Sequence, residues 1–181
     1  MKASSHPFTT APWTSAAFAA CLSAALTTAA CADDAQPDEI ATAMTQATED
    51  ETYLDAPQTP GTWEYEDEPG EKLALFGVNP RQPIFLVRCG DGVVSLGRVT
   101  ETPQSETKVL HVVTETVSSQ LEAGPVPGRE IILAADLQPG DPLLDAMAIT
   151  KGRFMIDVEG EDPLYLPAWV EVSRVIEDCR G

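Results

Sequence analysis

The stretch PIFLVRCGDGVVSLGRV, residues 83–99, restricts the possible folds more than any other part of the chain. Phe85, Val87 and Cys89 alternate with Leu86 and Arg88, and Val94 and Leu96 alternate with Ser95 and Gly97. A period of two is that of a strand with one face buried. Gly-Asp-Gly between the two runs supplies residues that tolerate the left-handed conformation of a tight hairpin turn. This is therefore a β-hairpin with an apolar face, and that face must be covered by another layer. Cys89 lies on it.

The rest of the chain supplies strands to extend the hairpin and helices to cover it. KLALFGV (72–78) reads as a first strand, and KVLHVVTETV (108–117) is dense in β-branched residues. GPVPGREIILAADL (124–137) reads as a Pro/Gly loop followed by a strand. The period then changes. In GDPLLDAMAITKG (140–152), Asp141 can cap a helix, Pro142 suits its first position, and Gly152 suits the stop beyond it. Leu143, Leu144, Met147 and Ala148 form its apolar face. GRFMIDVEGEDPLYLP (152–167) reads as a second hairpin, with Phe154, Ile156 and Val158 on one side and EGED at the turn. AWVEVSRVIEDCRG closes the chain as a helix whose stripe is Trp169, Val172, Ile176 and Cys179. The expected fold is α+β. A mostly antiparallel sheet, as a sandwich or open barrel, carries one mid-chain helix and one C-terminal helix over residues 63–181.

The first thirty residues read as a secretory signal peptide. Lys2 precedes the uncharged run WTSAAFAACLSAALTTAA (13–30), and Asp33 and Asp34 follow. Ser and Thr interrupt this run too often for a membrane span. Two processing routes are open. TAAC, ending at Cys31, resembles a bacterial lipoprotein lipobox, although Thr28 stands where an apolar residue is usual. The resemblance implies acylation of Cys31, which becomes the mature N-terminus, and Ala32 in place of Asp implies the outer membrane. The alternative is Ala30-Cys31-Ala32 as an A-x-A site, which releases a soluble periplasmic or secreted protein. Either route removes Cys21 and uses or removes Cys31. Cys89 and Cys179 are then left as a pair, which an oxidising periplasm would join. With Cys89 on the apolar strand face and Cys179 on the helix stripe, the bridge would staple the last helix to the sheet.

Charge narrows the function classes. The chain has 29 Asp and Glu against 11 Lys and Arg, a formal charge of −18. Nucleic acid would be repelled, and an anionic membrane surface would not attract the chain without a lipid. A basic protein or an envelope component remains a suitable partner. Residues 31–62 are acidic, contain no Lys or Arg, and end in Pro57, Pro60 and Gly61. They read as a flexible tether.

Signs of catalysis are sparse. His111 is the single histidine beyond the leader and sits in a β-rich run, where packing is the plain reading. GVVSLG has the wrong spacing for a nucleophile elbow. No phosphate loop, dinucleotide glycine pattern or HExxH is present. Asp157, Glu159, Glu161 and Asp162 could gather calcium but lack the EF-hand pattern, and read as a solvated turn. The chain is therefore read as a non-catalytic binding module without a cofactor or metal. Trp63 and Tyr65, in GTWEYEDEPG, are the candidate binding aromatics on the surface.

At GRFMIDVEG…LYLPAWVEVSRVIEDCRG the chain resembles a class of proteobacterial envelope proteins that pair a mid-chain strand cysteine with one in a terminal helix. In layout it is also similar to the invasion-associated locus B family and to type VI secretion accessory lipoproteins, over residues 73–181. A small, β-rich, disulfide-bridged lysozyme-inhibitor lipoprotein is a further analogy. These resemblances imply an accessory role in the envelope or in a secretion system, or inhibition of a basic hydrolase. They carry over no functional residue.

Overall fold

The computed structural model describes residues 53–181 except Pro80. Cys31, the leader and most of the tether lie outside the described residues. Nine strands and two helices follow one another: β1 (Thr62–Glu68), β2 (Glu71–Gly77), β3 (Phe85–Gly90), β4 (Val93–Val99), β5 (Lys108–Val113), β6 (Ser118–Val126), β7 (Arg129–Leu137), α1 (Pro142–Ile149), β8 (Arg153–Val158), β9 (Leu164–Pro167) and α2 (Val170–Asp178). The strands form one antiparallel sheet in the order β1-β2-β3-β4-β7-β6-β5-β8-β9. This is the expected α+β class.

The alternation in residues 83–99 has the foreseen result. Cys89 pairs with Val94 and Val87 with Leu96 across β3 and β4. The two turn residues, Asp91 and Gly92, take φ of 55° and 78°, as a two-residue hairpin loop demands. Register carries one face through the sheet. Trp63 lies opposite Phe76, Phe76 opposite Phe85, and Val87 opposite Leu96. The same face continues through Leu96 opposite Ala135 and Val112 opposite Ile156 to Phe154 opposite Leu166. These side chains belong to a single core shared with Leu143, Leu144, Met147, Val172, Val175 and Ile176 of the helices. The helices therefore cover the inner face of the sheet.

Of the two expected architectures, the open barrel describes the sheet. The chain entering β1 meets β9 at the far end of the strand order: Thr59 N donates to Tyr165 O at 3.0 Å, and Tyr165 N donates to Thr59 Oγ1 at 2.8 Å. Trp63 Nε1 donates to Pro167 O at 2.8 Å. The packed domain also reaches upstream of Trp63. Tyr53 is buried against Val113, Met155 and Tyr165 on the outer side, and Arg153 holds the Ala56 carbonyl.

Both helices form as the periodicity indicates. Asp141 accepts from Leu143 N at 2.9 Å as the cap of α1, with Pro142 at the first position. Helix α2 buries Val172, Val175 and Ile176. Trp169 departs from the expected stripe. It stands before the first turn, where the helical period does not yet apply, and is 43% exposed. Cys89 and Cys179 form the expected disulfide, with Cα atoms 5.4 Å apart.

Two strands have no counterpart in the sequence reading. β1 is TWEYEDE, too acidic to resemble a strand by composition. β6 absorbs Gly124, Pro125 and Val126, which by composition read as loop. Its register shifts at Pro125/Val126, and a bulge of this kind admits a residue with no N–H to give the ladder.

Candidate functional site

The outer face of the sheet differs between its halves. Across β5, β8 and β9, Tyr53 covers Val113, Met155 and Tyr165. Across β1 to β4 and β7 an open trough of about 1570 Å³ lies against the strands. Small-molecule sites run to roughly 300–1,000 Å³, so the trough is larger than these and open to solvent rather than enclosed.

Its floor is built by the residues that alternate with the core. Leu73, Leu75, Leu86, Val99, Ile132 and Ala134 line it, all half-buried. Gly97 lies opposite Leu86 on the neighbouring strand. A Cβ on Gly97 would stand 2.8 Å from Leu86 Cδ1 and Cγ, so the glycine lets the leucine lie flat across the floor. Asn79, the segment from Arg81 to Ile84, and Gly124 to Pro127 with Arg129 of the β6–β7 hairpin also contribute to the lining.

A row of carboxylates on β1 forms one side, and two more line the trough from β2 and β7. Glu64, Glu66 and Glu68 alternate along β1 and face the trough. They lie opposite Leu75, Leu73 and Glu71 on β2. Glu71 is paired with Arg88, a contact that, with Asp91 nearby, raises the guanidinium further above its ordinary range. Asp136 accepts the Ser95 hydroxyl at 2.5 Å. Among the described residues, Glu64, Glu66 and Glu68 have no ion pair or side-chain hydrogen bond. Arg81 and Arg129 also line the trough.

The two aromatics singled out by sequence part company. Trp63 is buried, 6% exposed, with its ring edge-on to Phe76 at 5.1 Å between centroids. This corrects the expectation of a surface tryptophan, because strand β1 turns residue 63 inward. Tyr65 points to the same side but lies near the rim of the core. Its hydroxyl donates to Asp178 at 2.7 Å, and the Arg174 guanidinium stands 3.9 Å from its ring centroid. The Asp178 hydrogen bond leads the effects that raise its pKa. Tyr65 is thus engaged with α2, and neither aromatic lines the trough.

His111 Nε2 is hydrogen-bonded to Ser118 Oγ at 2.8 Å, and His111 lies opposite Asp157. The order Ser-His-Asp is present on the outer face of β6, β5 and β8, but none of the three lines the trough. Among the described residues no group of three or more His, Cys, Asp or Glu is placed to hold a metal ion. The EGED turn is not solvated throughout, as its composition had suggested. The Glu161 side chain is 5% exposed and lies 3.8 Å from the guanidinium of Arg98, which is itself buried. Glu161 also accepts the Glu101 N–H at 3.3 Å. Sequence reasoning missed the trough because its floor is assembled from four strands. The alternate residues of each strand could have pointed to it only once the strand order was known.

No protein-family model, no curated protein and no solved structure matches the chain. Its function is therefore read from the trough and from the charge around it.

Proposed function

We propose that this protein is an exported, lipid-anchored binding module of the bacterial envelope, and that it acts without catalysis by receiving a protein partner in the outer-face trough. The observation that carries the reading is the half-buried apolar floor of Leu73, Leu75, Leu86 and Ile132, open to solvent and bordered by carboxylates. Contiguous apolar surface of this kind marks interaction sites. The Cys89–Cys179 bridge supports an oxidising compartment. The run before Cys31 supports export with an acyl anchor at that cysteine, facing the periplasm from the outer membrane. Two or more acyl chains hold a protein stably to a bilayer.

Leu75→Lys tests the reading, because it places a charge on the floor while its stem can still cover the strand. A partner crosslinked to the wild-type protein in envelope preparations should be lost with the variant. Equal recovery by both proteins would refute binding through the trough.

A further inference from the structure

Resting on that reading, we infer that the trough takes a cationic amphipathic segment of its partner, with Lys or Arg side chains on the β1 carboxylates and apolar side chains on the leucine floor.

Charge and its distribution argue for this occupant. Glu64, Glu66 and Glu68 line the trough in one row along β1, and no cation of the described residues pairs with any of them. Residues two apart on a strand are about 6.6 Å from each other, a spacing that separate lysine ammonium groups can match. The apolar floor begins on the next strand, since Leu73 and Leu75 face Glu66 and Glu64 directly. A segment that meets both must carry positive charge along one side and apolar groups along the other. Glu71 and Asp136 are already engaged with Arg88 and Ser95. Arg81 and Arg129 line the trough as well, but neither is ion-paired with the β1 carboxylates, so that row stays open to cations of a partner.

The same charges disfavour other occupants. A second copy would bring a chain of formal charge −18 to an acidic wall. Residues 31–52 of the same chain carry carboxylates and no Lys or Arg. Opposite potentials across an interface steer association and select partners.

The test uses the full-length oxidised protein and a fluorescent twelve-residue peptide of alternating Lys and Leu, read by anisotropy. Two control peptides replace Leu by Ser or Lys by Glu. The variant E64Q/E66Q/E68Q should weaken the Lys/Leu peptide by about tenfold, from three exposed charge contacts. Removing three exposed charges elsewhere, E106Q/E115Q/E122Q, should change affinity less than twofold. The Lys/Ser peptide should bind at least tenfold more weakly than Lys/Leu. Equal losses in the two triple variants, or equal binding of Lys/Ser and Lys/Leu, would overturn the inference. So would a self-association that the β1 variant abolishes, since it would seat a second copy there. If the Glu/Leu peptide binds and Leu75→Lys abolishes that binding, the cationic partner is refuted while the trough remains a binding site. If no peptide binds at millimolar concentration and Leu75→Lys leaves envelope crosslinking unchanged, both readings fall.

Discussion

Arg98 is the residue whose surroundings depart furthest from what its chemistry suggests. It lies on the inner face of β4, opposite Phe85 and Leu133. Burial pushes its guanidinium below the ordinary range, against the opposing pull of Glu161, Asp162 and Glu101. The carbonyls of Ile84, Val99 and Asp162 accept from it at 3.1, 2.6 and 3.3 Å. A buried cation left without its anion is costly, so Glu161→Gln should lower stability by about 3 kcal/mol in urea unfolding. The double variant Arg98→Met/Glu161→Gln should lose less than the sum of the two single changes, because the pair is removed together. Tyr65 allows a prediction in pH. Its folded-state pKa is raised, chiefly by donation to Asp178, so its contribution is complete below the unfolded phenol value of about 10. That contribution is lost as pH rises through the folded value. Thermal unfolding between pH 8 and 11 should show a shallower alkaline decline for Tyr65→Phe than for wild type.

At the scale of elements, the attachments of the two helices matter most. Helix α2 lacks a side-chain cap and holds to the sheet through its buried stripe, Tyr65 and the disulfide. Beyond its end, Arg180 donates to Asp145 at 2.6 Å and to Glu177 at 3.0 Å, joining it to α1. The bridge spans 90 residues, and a loop of that size contributes about 4.6 kcal/mol in the chain-entropy model. The Cys89→Ala/Cys179→Ala protein should lose stability of that order in denaturant titration. Its α2 amides should exchange hydrogen faster than those of β3 and β4. Asp141→Ala removes the cap of α1 and should cost about 1 kcal/mol in the same titration. The apolar and capping residues of these elements were legible because each acts through neighbours close in sequence. Strand β1 was not legible: TWEYEDE owes its strand conformation to pairing with β2, from Thr62 with Gly77 to Glu68 with Glu71.

For the whole molecule, an antiparallel sheet has two faces, and here they have different fates. The inner face is filled by α1 and α2, while part of the outer face carries an apolar floor in solvent. The proposed lipid anchor belongs to this scale, since it would hold the whole domain to a membrane. Intact mass of protein purified from membranes should show a chain beginning at Cys31 with added acyl mass and two protons fewer for the bridge. A soluble protein beginning at Asp33 without acyl mass would instead assign the A-x-A route.

Local periodicity by itself determined the first hairpin, the second hairpin, most of each helix's buried face (Leu143, Leu144 and Met147; Val172 and Ile176) and the side of its element on which each paired cysteine falls. Such features depend on residues two to four apart, whose relation is set by backbone geometry. Only the tertiary structure decided that Trp63 turns inward, that Glu161 is buried with Arg98, and that Leu73, Leu86 and Ile132 share a trough. Those outcomes depend on strand order and curl, which place side by side residues dozens of positions apart. Alternation says that a strand has two faces, and the neighbouring strands decide what each face meets.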